Sequence, residues 1–143
     1  MALSIVAALT DTARTKLADM LSTGRSFTVN SFVVGQGGHD PGDPATALTP
    51  NPTVTTLPQQ LFGPKSITSK NLTTPFCVQF ICLLDDTEAV GPISNVGLLA
   101  TINYSPIPGD PLVGETFLYA ISNMPLQYKT HAETKTYQIL VQY

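Results

Sequence analysis

The clearest pattern of apolar and polar positions is a helical one near the N-terminus. Thr10 or Asp11 is a suitable N-cap, and Gly24 is a suitable residue just beyond a helix end. Between them, apolar residues recur at intervals that place them on one side of an α-helix: Ala13, Leu17, Met20 and Leu21. We therefore predict that residues 11–23 form the principal helix and pack this stripe against a sheet.

Much of the remaining chain alternates apolar and polar residues, which predicts β-strands. The run 76–84 is apolar on both sides, so we expect a central strand with Phe76 and Val78 facing inward together with Phe80, Cys82 and Leu84. In residues 115–121 the side chains expected to share a face are Phe117, Tyr119 and Ile121. Further strands are predicted at 2–9, 27–34, 93–104 and the C-terminus, where Tyr137, Ile139, Val141 and Tyr143 alternate with polar residues.

One helix followed by a strand-dominated chain predicts an α+β fold, with one main helix near the N-terminus packed on a mostly antiparallel sheet. The chain has 143 residues, a common size for one domain, and it contains no internal repeat or domain boundary. The expected organisation is a single domain over residues 1–143.

Residues 36–64 depart from this periodicity, because they hold four of the ten Gly and six of the twelve Pro. A long segment without periodicity is unusual inside a compact domain, so it is either disordered or an arm that orders on a neighbouring subunit. We favour the arm, because large apolar residues are spaced along it like separate anchors. The candidate assembly interface comprises Leu48, Val54, Leu57, Leu61 and Phe62, together with Tyr143 at the C-terminus.

Composition points to partners rather than to a free monomer. Charged residues are 12% of the chain, against about 25% in an ordinary soluble domain. We therefore expect self-association. The net charge of −3 and the absence of a basic stripe argue against nucleic acid as a partner. The apolar start lacks a basic region and soon meets Asp11 and Arg14, so neither a signal peptide nor a membrane span is expected.

The two cysteines, Cys77 and Cys82, lie five positions apart. On a strand they would point to opposite faces and lie about 16 Å apart, too far for a disulfide. We expect both to be buried thiols, as suits a reducing cytoplasm.

Two short segments carry residues that could support chemistry, and neither predicts an active site. The run 35–43 contains His39, Asp40 and Asp43, but its spacing matches no metal-binding or phosphate-binding loop, so a flexible turn is expected. Asp85, Asp86 and Glu88 are adjacent acids with no His or Lys nearby in the sequence, which favours a solvated hairpin tip. We expect no enzyme activity, no metal and no cofactor.

The chain carries five short motifs in order: LTDTARTKLA at 9–18, FVVGQG at 32–37, NVGLL at 95–99, LYAISNMP at 118–125 and YK at 128–129. Together they resemble the N-terminal domain of phage tail-collar and tail-fibre proteins. The family has a strand leading into a helix with a pattern like LT-x-AG-x-x-KIA, then a Gly-rich turn, a REVGLFD-like strand, a LIAVGNFP-like strand and a YKP motif. The Gly-rich turn of the family carries an Asp where this chain has Gln36. The matching residues here are Leu9, Thr10, Ala13, Lys16, Leu17, Ala18 and Gly24, then 32–37, 95–99, 118–125, Tyr128 and Lys129.

The resemblance implies a structural protein of the virion, assembled in the host cytoplasm, that links tail fibres to the tail or baseplate. Because no fibre shaft follows Tyr143, the expected form is a separate baseplate or adaptor subunit. Fibre-linking parts of this type are commonly threefold or sixfold, so the resemblance implies a homo-oligomer with a trimer as the first expectation. Its partners would be other tail and baseplate proteins and the fibre itself. The alternative is a lectin-like, glycan-binding module of a phage tail that recognises the host surface.

Overall fold

The structure is a computed structural model that describes residues 2–143. It contains ten strands and one helix over this range. The elements are β1 (Ala2–Leu9), α1 (Asp11–Thr23), β2 (Ser26–Gly35), β3 (His39–Asp40), β4 (Asp43–Ala47), β5 (Gln60–Ser66), β6 (Ser69–Thr74), β7 (Cys77–Leu84), β8 (Gly91–Tyr104), β9 (Thr116–Lys129) and β10 (Lys135–Gln142).

Eight of the strands form two layers that share one core. The first sheet has the order β5-β2-β8-β9, and the second has the order β1-β10-β7-β6. Alternate residues from the two layers meet in a single apolar cluster, so each strand contributes one face to the interior. Its large members include Phe32, Ile93, Leu98, Phe80, Leu84, Tyr137 and Ile139.

Strand β1 belongs to both layers. Residues 2–7 pair in parallel with β10, whereas Ala8 and Leu9 pair antiparallel with Ile121 and Ala120 of β9. One strand therefore joins the two sheets along one side.

The continuous run from β5 to β6 joins the sheets along the opposite side. β5 pairs with β2, and β6 pairs with β7. Only two residues lie between them: the Ile67 N–H donates to the Asn30 carbonyl at 3.1 Å, and the Thr68 N–H donates to the Ile81 carbonyl at 2.8 Å. The order of strands thus closes on itself, and the sandwich is joined along both sides.

The helix lies at the end of the sandwich where β8 leads into β9. Thr10 is its N-cap: the hydroxyl accepts from the Ala13 N–H at 3.1 Å and donates to the Leu118 carbonyl at 2.6 Å. Gly24 ends it in the left-handed conformation, with a φ of 84°. We call this the helix end; it comprises α1, residues 105–115, the turn at 75–76, Tyr143 and the adjoining strand ends with Leu72 of β6 and Tyr104 of β8. The opposite, loop end comprises residues 85–90 and 130–134, with Tyr128 and Lys129 at the end of β9.

The predicted α+β class is wrong, although the bounds of the helix are confirmed. The structure is 57% strand and 9% helical, and the parallel pairing of β1 with β10 makes the sheet mixed. Ala13 is the only buried residue of α1, and Leu21 is 87% exposed. The physical reason is that the two sheets fill the core between them, so the helix only covers one end of it.

Two predicted facing patterns also differ from the structure. Phe76 lies in the turn before β7 and is exposed, while the rest of that strand is central as expected. The pairing of β8 with β9 shifts in register between Leu98 and Leu99 of β8. Tyr119 of β9 is therefore an extra residue that forms a β-bulge. Ile121 consequently points away from the core that holds Phe117 and Tyr119.

The prediction for the cysteines is confirmed. Cys77 and Cys82 are both buried and free. Burial raises the pKa of the Cys82 thiol to about 12, so it remains protonated and acts as a small apolar side chain.

Thr10 provides a direct test of how β1, the helix and β9 are connected. We expect Thr10→Val to lower the free energy of unfolding by about 1–3 kcal/mol, because it removes the cap and leaves buried backbone groups unpaired. Urea unfolding followed by circular dichroism measures the effect. Thr15→Val, on the exposed side of the same helix, should change stability by less than about 0.5 kcal/mol. Equal effects at the two positions would contradict the role assigned to Thr10.

Candidate interaction surfaces

Residues 60–64 of the predicted arm belong to β5, so we keep the name arm for residues 36–59. These residues lie along the outer side of the first sheet of their own chain. The side-chain amide of Asn123 donates to the Leu48 carbonyl at 3.0 Å, and that of Asn95 donates to the Pro58 carbonyl at 3.1 Å. Near the helix end, the Asp11 N–H donates to the Pro52 carbonyl at 2.8 Å. The arm is therefore ordered on the subunit that carries it, which differs from the expectation that it orders on a neighbour.

An apolar cluster fastens the arm to this sheet. Leu57 is 4% exposed and packs with Val33, Leu118 and Ile121, while Val54 is partly buried beside them. Gly97 makes the close packing possible, because a Cβ there would lie 2.9 Å from the Leu118 side chain. The bulge at Tyr119 is what turns Ile121 towards this outer cluster.

The start of the arm contains a serine–histidine contact. Ser94 Oγ accepts from the Gly38 N–H at 2.8 Å and lies 2.8 Å from His39 Nδ1. Gly38 is required here, since a Cβ would come within 2.0 Å of the Ser94 carbonyl oxygen. Ser94 is fully buried, so its hydroxyl fastens the arm and is not accessible to a substrate.

The structure does not bring the six predicted interface residues together. Val54 and Leu57 share the cluster under the arm, whereas Phe62 packs against the main core. Leu48 and Leu61 are partly exposed on the surface. Tyr143 is also exposed, but its hydroxyl hydrogen-bonds to that of Tyr119. The residues left accessible to a neighbour are therefore Leu48, Leu61 and Tyr143.

The acid cluster at the loop end has lysine partners from distant strands. Lys65 of β5 contacts both Glu88 and Asp85, the latter at 3.3 Å. Hydrogen bonding to Lys65 is the main cause that lowers the pKa of Glu88. Lys129 is fully buried, and its Nζ donates to the carbonyls of Asp85 at 2.8 Å and Asp86 at 3.1 Å. These contacts give the 85–88 turn a structural role that its local sequence did not indicate.

The helix end exposes large apolar side chains while its charged groups are paired. Lys16 lies 2.8 Å from Glu115, and Arg25 lies 2.8 Å from Asp19 and 2.6 Å from Asp110. The rest of the surface at the helix end is uncharged and apolar enough to be buried against a partner. The exposed apolar residues at this end are Leu21, Leu72, Phe76, Tyr104, Ile107, Val113 and Tyr143.

The outer side of the second sheet is a different surface, because it carries no charged side chain among the described residues. Sequence reasoning missed it as a surface, although the signal was present: residues 2–9, 77–84 and 136–143 contain no Lys, Arg, Asp or Glu. The residues on this side are partly or fully exposed: Ser4, Val6, Ser69, Asn71, Gln79, Ile81, Leu83, Thr136, Gln138, Leu140 and Gln142.

A shallow groove of about 260 Å³ runs beside the arm on the first sheet. Its lining includes Thr55, Thr56, Gln60 and Thr116, and its one aromatic residue, Phe117, is buried. The groove therefore offers hydroxyl and amide groups without an aromatic platform for a sugar ring.

Among residues 2–143, no group of three His, Cys, Asp or Glu side chains is arranged to hold a metal ion.

No protein-family model, curated protein or solved structure matches this chain. Over the described range, no helix has the length and apolar character needed to cross a membrane.

Leu57→Ala tests the attachment of the arm. We expect a loss of about 2–5 kcal/mol in the stability of the arm's docked state, because a buried leucine is replaced by a cavity. Hydrogen exchange of residues 48–58 and limited proteolysis would report the release. Leu48→Ala, at an exposed position in the same arm, should leave both unchanged. An arm already cleaved rapidly in the wild type would contradict the docked arrangement.

The lowered pKa of Asp110 predicts that the protein loses stability in acid. Its pKa is lowered from 3.8 to about 2, first by the Ser105 hydroxyl, then by Arg25 and the Leu112 N–H. A carboxyl group whose pKa is lower in the folded than in the unfolded protein stabilises the fold at pH values above the unfolded-state pKa. This stabilisation is lost as the pH falls below the folded-state pKa. The stability advantage of the wild type over Asp110→Asn should therefore be constant at neutral pH and shrink between about pH 4 and pH 2. Urea midpoints across this range measure it, and a difference independent of pH would contradict the assignment.

Proposed function

We propose that this protein is a structural subunit of a phage tail, an adaptor that links tail fibres to the tail or baseplate. The ordered series of motifs resembling tail-collar and tail-fibre N-terminal domains supports the proposal. In this proposal the protein resides in the virion and is assembled in the host cytoplasm. Its partners are other tail and baseplate proteins and the fibre.

The observation that carries the proposal is the collection of exposed apolar side chains at the helix end. Leu21, Leu72 and Phe76 are each more than two-thirds exposed, at 87%, 71% and 70%. Large apolar groups gathered at one end of a sandwich are typical of a surface that another protein covers.

The proposed mechanism is burial of this end in a complementary site on the neighbouring protein. Strand pairing is less suited to the sandwich itself, because both of its sides are already joined by shared strands. A tyrosine and a phenylalanine at the centre of such a contact would supply much of its binding free energy. Phe76 and Tyr143 are suitable, since the Tyr143 N–H donates to the Phe76 carbonyl at 2.8 Å and holds the two backbones together.

The pairing of charged groups within the helix end favours burial of this end against a neighbouring protein. Arg25, with its pKa raised mainly by hydrogen bonding to Asp110, remains charged and occupied by its own acids. A partner that covers the helix end would not have to neutralise these groups, which lowers the cost of removing water from the contact.

Localisation in purified particles is the first experiment. Antibody raised against the chain should label the tail or baseplate region in electron micrographs of salt-washed phage particles. Particles that contain no trace of the chain by mass spectrometry, from a lysate that contains it, would refute the adaptor role.

A matched pair of variants then tests the surface. Phe76→Ser at the helix end should reduce incorporation into particles about tenfold or more, equivalent to about 1.4 kcal/mol of binding free energy. Tyr128→Ser removes an equally exposed aromatic residue at the loop end and should incorporate normally. Thermal unfolding of both purified variants controls for folding. Loss of incorporation in Tyr128→Ser alone would place the contact at the opposite end.

A further inference from the structure

The outer side of the second sheet has a composition that the core does not explain. Four adjacent strands present it, and its centre is Gln138 of β10, which lies opposite Ser4 of β1 on one side and Ile81 of β7 on the other, with Gln79 of β7 diagonal to it. Gln138 Oε1 lies 2.7 Å from Ser4 Oγ and 3.3 Å from Gln79 Nε2. Val6, Ile81 and Leu140 add apolar area around this polar centre.

We propose that this face binds the same face of a second copy of the chain, with a twofold axis near Gln138. The inference does not depend on a role in phage tails. It concerns how two subunits associate, whereas the helix end described above would contact a different protein.

The lack of charged residues on this face favours a second copy of the chain as its binding partner. The chain carries a net charge of −3, so two copies repel each other wherever their acids approach. This face carries none of the chain's acidic or basic residues. The charged residues within the four strands are Lys70 and Lys135, and the register places both on the opposite side of the sheet, with Phe80 and Leu84. Lys70 reaches inward to the Val29 carbonyl at 3.1 Å, and Lys135 donates to Gln127 Oε1 at 3.3 Å. Two such faces can therefore meet without like-charge repulsion, and neither offers a charge that a differently charged partner would require.

The polar groups at the centre are compatible with self-pairing. Gln138 Oε1 already accepts from Ser4 and from Gln79 within the chain, so the Gln138 NH₂ group is the part of this amide that can donate across the axis. The Gln79 amide, which donates through Nε2, offers its carbonyl oxygen as the acceptor on the second copy, and the twofold axis repeats the same bond in the reverse direction. A carboxylate or an ammonium group could not do so, because it only accepts or only donates.

The size of the face is sufficient for a weak dimer. Three strands of eight residues and one of six, about 4.8 Å apart, cover about 500 Å² on each copy, or about 1,000 Å² in total. This area lies near the lower limit for specific interfaces, so we expect a dimer that dissociates on dilution in the micromolar range.

Charge variants at the centre test the proposal. The wild type should sediment as a dimer at high concentration and as a monomer on dilution. Gln138→Glu and Gln138→Lys should each be monomeric, because each places like charges against one another across the axis. An equimolar mixture of the two should recover the dimer, because opposite charges then face each other.

The matched controls are Gln60→Glu and Gln60→Lys, which introduce the same charges at an exposed position of the first sheet. Both should dimerise like the wild type. If either Gln138 variant is unfolded by circular dichroism, Val6→Lys provides the same test at a more exposed position of the face.

Three results would overturn the proposal. One is a wild type that stays monomeric up to about 1 mM. Another is an oligomer, of any size, that persists in folded Gln138→Glu and Gln138→Lys. The third is a mixture of the two variants that remains monomeric.

Discussion

Sharing of strands between the two sheets is the constraint on which the rest of this structure depends. β1 pairs first with β10 and then with β9, and the β5–β6 run passes from β2 to β7 with only two residues between its halves. Because the layers are joined along both sides, their inner faces are held at a fixed separation and one continuous core forms between them. The ends of the sandwich are then the places where core residues would meet water.

The two ends are closed in different ways. At the helix end, α1 and residues 105–115 cover the core, fastened by the cap at Thr10 and the ion pair between Arg25 and Asp110. At the loop end, the buried amine of Lys129 donates to the carbonyls of Asp85 and Asp86 and fastens this turn to β9. Polar groups thus fasten both covers, whereas apolar packing is concentrated between the sheets.

The outer sides of the two sheets differ as strongly as the ends. The arm covers the first sheet, where Leu57 fills a site formed by Val33, Leu118 and Ile121. The second sheet is left accessible, with amide, hydroxyl and aliphatic groups and no charge. A sandwich with one covered side, one uncharged side and one apolar end has distinct surfaces available for distinct neighbours, which is how an adaptor in a larger assembly would use them.

The sequence by itself determined some of the local elements, although it did not predict the strands β3, β4, β5 and β6 within residues 39–74. The caps at Thr10 and Gly24 and the apolar alternation in β7 and β10 predicted the helix and strands close to their observed bounds, because both signals depend on residues near in the chain. It did not determine which faces would be covered. The parallel pairing of β1 with β10, the exposure of Leu21, the place of Leu57 and the lysine partners of the 85–88 turn all join residues distant in sequence. A periodic pattern records that a side chain is apolar, but only the tertiary arrangement decides whether the core, the arm or water lies against it.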